Sequence, residues 1–395
     1  MRITIFSQHF WPENFRINDI AKKLKLLGVK LNVFTGKPNY PDGVISDKFK
    51  SFFPIEHNFK GINILRFPII ARGKASSVNL ILNYISFVIS ATFFSFFFRK
   101  KFGDIFFVYG TSPIFQAMPV IILKKFFKIK LVLWVQDLWP DNLKDTGYVK
   151  NLFILKFVDY LVKKIYLSSD LILCQSDAFK REIKKKTSTK LKILYNPSNY
   201  KFDFKLKKKK SFFDIYYTGN LGYGQNFDKI LETFKDKKVL NEKIRLIIFG
   251  SGKNFYVIKK KIKDSNSKNI ILKKAVSPSK LKIFMKNADC FILILNKGLG
   301  LSKTIPAKFQ TYLSFGKPII SVNSGIVSEL IQKHKLGFWL SDVNTKNLRN
   351  ILFKSKKLSE KQLIDISKKS KRLFMKKFEI NSTCIKLKKY LEDLE

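Results

Sequence analysis

Ile215-Tyr216-Tyr217-Thr218-Gly219-Asn220-Leu221-Gly222-Tyr223-Gly224-Gln225 decides how this chain is read. The first four residues suit a short buried strand, the glycines a turn, and a helix follows from about Phe227. A strand, a glycine loop and a helix N-terminus make a seat for an anion: glycine lets the backbone come close, while unpaired N–H groups and the helix dipole face the charge. The arrangement recurs one strand later, where Ile247-Ile248-Phe249 leads into Gly250-Ser251-Gly252 and another helix. One such loop can simply end a strand. Two in the same half point to a nucleotide-diphosphate site.

Outward from this point the same alternation continues. Apolar runs without period-two alternation suit strands covered on both faces, hence a parallel sheet. Downstream they fall at Arg245–Phe249, Ile270–Leu272, Cys290–Leu295, Pro318–Val322 and Phe338–Leu340, after Asp214–Thr218. Upstream they fall at Arg2–Phe6, Leu31–Phe34, Ile62–Phe67, Asp104–Val108, Leu131–Val135, Leu171–Cys174 and Leu191–Tyr195. Helical stretches fill most gaps, beginning with Glu13–Leu27, which Gly28 stops. Between the halves, Asn196-Pro197-Ser198-Asn199 is turn chemistry and Lys207–Lys210 a solvated charge run. The pattern predicts an α/β protein of two doubly wound domains, over 1–200 and 201–375, with a closing helical segment at 376–395. A chain of 395 residues has the length for two such cores.

Composition narrows the partners. Apolar residues make up 46% of the chain, so it packs a core. Lys and Arg number 76 against 29 Asp and Glu, a net charge of +47. Such a field favours polyanions, although abundant Lys, Ile, Phe and Asn also follow from AT-rich codon usage. The basic residues are scattered through every helix, which excludes the compact basic arm of a nucleic-acid reader. Cys174, Cys290 and Cys384 lie far apart, and His9, His57 and His334 show no metal spacing, so the sequence predicts a reducing, cytoplasmic setting and no metal site. The start, Met1-Arg2-Ile3-Thr4-Ile5-Phe6, reads as a strand and not a signal peptide.

Ala75 to Phe98 carries no charge, and the 19 residues from Leu80 to Phe98 are mostly apolar. A helix of that length reaches about 28 Å, close to the thickness of a bilayer core. Asn83, Ser86, Ser90, Thr92 and Ser95 weaken a spanning reading, and the strand–helix alternation runs straight through. A helix at about 79–98 is expected as a buried crossover or as one dipping into a single leaflet.

Three further segments could carry chemistry. Thr304-Ile305-Pro306-Ala307-Lys308 opens a helix that Gly316 closes, which puts Lys308 in the first turn. A cation there is mildly unfavourable to the helix, and a ligand anion rationalises it; a solvated lysine is the plain alternative. In the first half, Ser7-Gln8-His9-Phe10-Trp11-Pro12-Glu13-Asn14-Phe15-Arg16 and Gln136-Asp137-Leu138-Trp139-Pro140-Asp141 follow strands at their carboxyl ends, where open sheets place ligands. Tryptophan faces stack on sugars and carboxylates bond hydroxyls or take a proton; alternatively Trp11 and Trp139 only pin their loops.

Five words in order resemble one group of retaining glycosyltransferases: Ser7-Gln8-His9-Phe10-Trp11-Pro12-Glu13-Asn14, Thr35-Gly36-Lys37-Pro38-Asn39-Tyr40-Pro41-Asp42-Gly43, Val135-Gln136-Asp137-Leu138-Trp139-Pro140, Gly219-Asn220-Leu221-Gly222 and Pro306-Ala307-Lys308. These are the family-four, GT-B-fold enzymes, close to the L-fucosamine transferases of O-antigen and colanic-acid synthesis. The resemblance implies two Rossmann-like domains facing across a cleft, with the last helix packing back on the first domain. It implies an acceptor on the first domain, near His9, Trp11, Glu13, Asn14, Arg16, Asn39, Tyr40 and Trp139. It implies a nucleotide-sugar on the second, near Gly219, Asn220, Leu221, Gly222, Gln225, Gly250, Gly252, Pro306, Lys308 and Thr311. Asp137 and Lys308 are the catalytic candidates. The implied enzyme needs no metal and uses a UDP-sugar in preference to a GDP-sugar. Its acceptor is a polyprenyl-diphosphate-linked saccharide, so it would be peripheral on the inner face of the cytoplasmic membrane, against an anionic surface.

The match departs from the family where two glutamates eight apart are usual: Lys303 and Thr311 stand there instead. Asn220 and Gln225 replace the diphosphate-binding Arg and Lys. Two other readings fit the same scaffold or charge. A non-hydrolysing sugar-nucleotide epimerase would act on donor alone. A basic membrane- or polyanion-binding protein would bind with steep salt dependence and no turnover.

Overall fold

The computed structural model describes residues 1–145, 149, 151–198, 200–206, 210–222, 227–294, 301–322 and 325–394. They form two compact units: Met1–Asn196 with Ile380–Glu395, and Pro197–Glu379. These limits lie a few residues from the sequence-based 200/201 and 375/376.

The first unit runs β1 (Arg2–Phe6), α1 (Ile17–Leu26), β2 (Lys30–Gly36), β3 (Ile55–Phe59), β4 (Ile62–Phe67), α2 (Ser77–Phe97), β5 (Ile105–Gly110) and α3 (Met118–Phe126). It continues with β6 (Lys130–Val135), α4 (Asp141–Asp145), α5 (Leu152–Ser168), β7 (Leu171–Cys174), α6 (Asp177–Lys184) and β8 (Leu191–Ile193). Among the described residues the sheet has the order β3-β4-β2-β1-β5-β6-β7-β8. Every pairing is parallel except β3 with β4. Strand β3 is absent from the sequence reading. Its residues Ile55-Glu56-His57-Asn58-Phe59 carry too little apolar character, but Lys60-Gly61, both at positive φ, is a two-residue hairpin turn. As an edge strand, β3 buries mainly Phe59.

Both faces of the sheet are covered. Phe6, Phe34, Phe106, Leu133 and Ile172 point into one layer with α2, α3 and α5. Ile5, Val33, Phe107, Trp134 and Leu173 point into the other with α1. This explains the unbroken apolar runs: neighbouring residues such as Phe106 and Phe107 each face a core.

Helix α1 begins at Ile17 rather than at Glu13, because the Glu13 carboxylate is engaged with backbone amides of another loop. Helix α2 has a capped start, with the Ser76 hydroxyl accepting from the Asn79 amide. It is no buried crossover helix: only Asn83, Phe87, Ala91 and Ser95 are buried, one residue per turn.

The second unit contains β9 (Phe213–Asn220), α7 (Asp228–Lys235), α8 (Lys237–Asn241), β10 (Ile244–Ser251), α9 (Phe255–Asp264), β11 (Ile270–Lys274), α10 (Pro278–Met285) and β12 (Cys290–Ile294). Then come α11 (Ala307–Ser314), β13 (Ile319–Val322), α12 (Ile326–His334), β14 (Gly337–Leu340), α13 (Thr345–Lys356) and α14 (Glu360–Lys377). Its described strands form one parallel sheet in the order β11-β10-β9-β12-β13-β14.

The last helix, α15 (Ile380–Glu392), belongs to the first unit. Cys384, Leu387 and Leu391 enter the core beside α1. Lys388 Nζ donates to the Leu27 carbonyl at 3.0 Å, and Lys192 pairs with Asp393 at 2.5 Å. The chain is therefore α/β, with two sheets of parallel strands and a C-terminal helix returned to the first. All three cysteines are buried and none is in a disulfide.

Candidate functional site

In the second sheet β9 has β10 on one side and β12 on the other. From β9 the chain continues to β10 on one side, and from β12 to β13 on the other, which makes this the switch point where open sheets place ligands. Gly219 lies at the carboxyl end of β9, and among the described residues α11 is the first α-helix after β12.

Pro306 is the N-cap of α11, and Lys308 lies in its first turn. One turn on, Tyr312 stacks on Phe291 of β12, with centroids 4.4 Å apart and planes 7° apart. Its hydroxyl accepts from the Thr218 amide at 2.9 Å. Burial pushes the Tyr312 phenol up to about 12, so it stays neutral. This anchor sets Lys308 over the β9 turn. Lys308 Nζ donates to the Tyr217 hydroxyl at 2.9 Å and stands 4.5 Å from that ring's centroid. Tyr217 in turn donates to the Asn220 carbonyl at 2.8 Å. Gly219 has φ +136, and a Cβ there would come within 3.2 Å of Lys308 Nζ. Among the described residues no carboxylate pairs with Lys308. Burial alone pulls its ammonium down to about 8.

An ammonium half-sunk at a helix N-terminus, beside a glycine turn and without a carboxylate partner among the described residues, is a favourable place for an anion. The geometry also corrects several expectations. The Leu221 amide is not available to a phosphate, because it donates to the Ser251 carbonyl at 2.7 Å. Gly250 and Gly252 brace the first loop. Cβ atoms there would meet the Gly219 carbonyl at 2.7 Å and Asn220 Oδ1 at 2.3 Å. The Thr311 hydroxyl is turned into its own helix, donating to the Ala307 carbonyl at 3.0 Å. Gln225 lies outside the described residues.

In the first unit the loops after β1, β2, β5 and β6 carry a polar network. Glu13 Oε1 accepts the amides of Asn39 and Tyr40 at 2.9 and 2.7 Å, and Oε2 lies 3.0 Å from His9 Nδ1. His9 stacks on Phe15 at 4.8 Å, with Tyr40 5.9 Å away. Glu13 thus clamps one loop to the next and holds the His9 ring. Asn14 is exposed. Arg16 stands at the head of α1; burial lowers its pKa, and Tyr109 and Asp19 oppose that.

Asp137 accepts from the Ser112 hydroxyl at 2.8 Å and from Asn142 Nδ2 at 2.9 Å. Burial raises its pKa, and these hydrogen bonds only partly offset that. The tryptophans do not present open faces to a sugar. Trp139 is 8% exposed, donates to Ser112 Oγ at 3.2 Å and meets Phe115 edge-on. Trp11 stacks on Phe59 at 4.5 Å, with the Arg66 guanidinium 6.0 Å from its ring. Both pin loops.

Sequence reasoning missed Asn83. From the apolar helix α2 it accepts from Gln8 Nε2 at 2.8 Å and donates to the Ile70 carbonyl at 2.6 Å. A lone amide in an apolar run was the available signal. It also missed Arg66, fully buried, with its pKa pulled down to about 10 by burial. Its guanidinium donates to the Trp11 carbonyl and packs 5.1 Å from the Phe49 ring. Among the described residues no three His, Cys, Asp or Glu side chains gather as a metal site needs.

Residues 199–371 match the model of the glycosyl transferases group 1 family. No curated protein matches the chain by sequence. Solved structures match its fold across both units. A sucrose-phosphate synthase from Thermosynechococcus elongatus superposes with TM-score 0.71 at 12% identity, covering 100% of this chain and 98% of that one. HepE of Anabaena, in complex with UDP, gives 0.65 at 12%, covering 100% of both. WaaG, a glycosyltransferase involved in lipopolysaccharide biosynthesis, gives 0.62 at 11%, covering 98% of both. On these matches, residues 199–371 form a group 1 glycosyl transferase domain, and the chain that carries it is a glycosyltransferase of the GT-B fold.

Proposed function

We propose that this glycosyltransferase takes its sugar from a nucleoside-diphosphate sugar, UDP-linked in preference to GDP-linked. It would pass the sugar, with retention, to a polyprenyl-diphosphate-linked saccharide of a surface polysaccharide. The observation that carries the donor half is Lys308: an ammonium without a carboxylate partner among the described residues, held over the Gly219 turn by Tyr217. The UDP in the HepE complex supports the choice of base. N-acetyl-L-fucosamine or a related deoxysugar is the sugar the sequence words favour.

In this reading the donor's bond from anomeric carbon to phosphate oxygen breaks, and the new bond forms on the same face from the acceptor hydroxyl oxygen. The hydroxyl proton leaves with the departing diphosphate. Lys308 and the dipole of α11, over the Gly219 turn, stabilise that diphosphate as its charge grows. Thr311 and the Gly250–Gly252 turn shape the seat. Asp137, a carboxylate with a raised pKa, orients the acceptor hydroxyl, among loops that His9, Glu13, Asn39 and Tyr40 hold in place. No metal takes part and no nucleic acid is bound. The acceptor's lipid places the enzyme on the inner face of the cytoplasmic membrane.

The test is a screen of UDP- and GDP-sugars by thermal shift, then transfer assays of the stabilising donors with a lipid-linked acceptor. A UDP-sugar that stabilises the protein and is consumed only with acceptor supports the reading. Turnover of donor alone to an epimer would replace it.

A further inference from the structure

We infer that the outer surface of the α2–α3–α5 layer is a docking face for one leaflet of an anionic bilayer. The observation is independent of the donor site and rests on the lipid-linked acceptor reading only for its purpose.

Helix α2 is long and apolar enough to cross a membrane, yet 22% of its most apolar stretch is buried in the protein. The buried side is the stripe Asn83, Phe87, Ala91 and Ser95, packed on the sheet. Asn83 fixes it there through Gln8 and Ile70. A helix tied along one side to a sheet does not span a bilayer. The opposite side is a second stripe, Ile81, Ile85, Ile89, Phe93 and Phe97, all at least half exposed. Helix periodicity puts these residues on one line facing away from the core.

The stripe is widened by neighbours. Phe53, 71% exposed, lies against Phe94 with centroids 6.5 Å apart, and Phe52 beside it is 93% exposed. Phe126 at the end of α3 is exposed and meets Phe96 at 5.4 Å. Helix α5, in the same layer, exposes Phe153 and Phe157. So large an apolar surface on one side of a unit marks a place of contact.

Charge selects the occupant. From Arg72 to Lys130 there are nine Lys and Arg and a single acid, Asp104. Arg99 and Lys100 sit at one end of the stripe and Lys74 at the other, all exposed and without a carboxylate partner among the described residues. A second copy of a chain with net charge +47 would bring like charges together. An anionic leaflet offers hydrocarbon for the stripe and phosphate for its ends, and such helices sink about 5–10 Å at the headgroup boundary.

The experiment is flotation of the full-length protein with phosphatidylcholine vesicles, with and without phosphatidylglycerol, at low and high salt. Two double variants, F52S/F53S and I85S/I89S, are compared with the wild type, with circular dichroism as the fold check. The wild type is expected to float with phosphatidylglycerol vesicles, and high salt should weaken this. Each folded variant should lose about tenfold or more in binding, as expected for two buried apolar side chains. UDP binding of the variants, measured in parallel, should not change, so a failed donor reading and a failed surface are told apart. Two results overturn the surface: variants that float like the wild type, or a wild-type dimer by light scattering that the substitutions disperse.

Discussion

Lys308 weakens the protein that it equips. Burial lowers its pKa from 10.5 to about 8, so the folded state penalises the charged ammonium. The penalty is present in full below about pH 8 and fades as pH rises toward the unfolded value. Lys308→Met should therefore raise the melting temperature of the ligand-free protein at neutral pH. The same variant should bind UDP about 10- to 100-fold more weakly, the range of one charge-assisted contact. An anion beside the ammonium favours its protonated form. UDP affinity should thus fall as pH rises through about 8, by no more than about tenfold per pH unit, in titrations across that range. Asp137 sets the other limb. Its pKa is raised, and the ionised form orients the hydroxyl, so kcat should fall as pH drops through a point above the ordinary carboxylate range. Asp137→Asn should lower kcat by about 10²–10⁴-fold, with UDP binding intact. Lys308 was legible in the sequence because Pro306 and Gly316 bracket its helix. Tyr217 and Tyr312, which aim it, were not: nothing in a strand or helix pattern says that two tyrosines from distant segments will meet.

At the scale of elements, the two glycine turns act as one. The Cβ of a Gly252→Ala protein would press on Asn220 Oδ1, at a φ of +134. Strain of this kind costs about 1–3 kcal/mol. The variant should melt at a lower temperature and bind UDP less tightly, although Gly252 reaches the seat through Asn220 and the Leu221 backbone. Helix α2 gives a second case. Asn83→Leu removes the partner of Gln8 Nε2 and of the Ile70 carbonyl, a loss of about 1–3 kcal/mol per orphaned group, readable by denaturant titration. The parallel strands were legible because a strand covered on both faces has no polar side to interrupt it. Strand β3 escaped because an edge strand buries little and is set by its turn. The head of α1 was misplaced because the Glu13 side chain, which reads as a first-turn helix residue, is spent on the amides of Asn39 and Tyr40.

At the scale of the whole molecule, the sequence carries two sheets and a helix that returns to the first. The return is written in α15, where Cys384, Leu387 and Leu391 form an apolar side that fills the first unit's core beside α1. The role of the charge was less legible. A net +47 is spread over the whole chain; Lys74, Arg99 and Lys100 bracket the uncharged run in sequence, but only the fold shows that one side of that run stays exposed. The glycosyltransferase reading of the site depends on Lys308 and the Gly219 turn seating a diphosphate. Calorimetric titration of UDP into the wild type and into Lys308→Ala tests this most directly. The account predicts saturable binding to the wild type and at least about tenfold weaker binding to the variant, a loss of roughly 1.4 kcal/mol or more. Equal affinity in the two proteins, or a wild type that binds no nucleoside diphosphate, would contradict it.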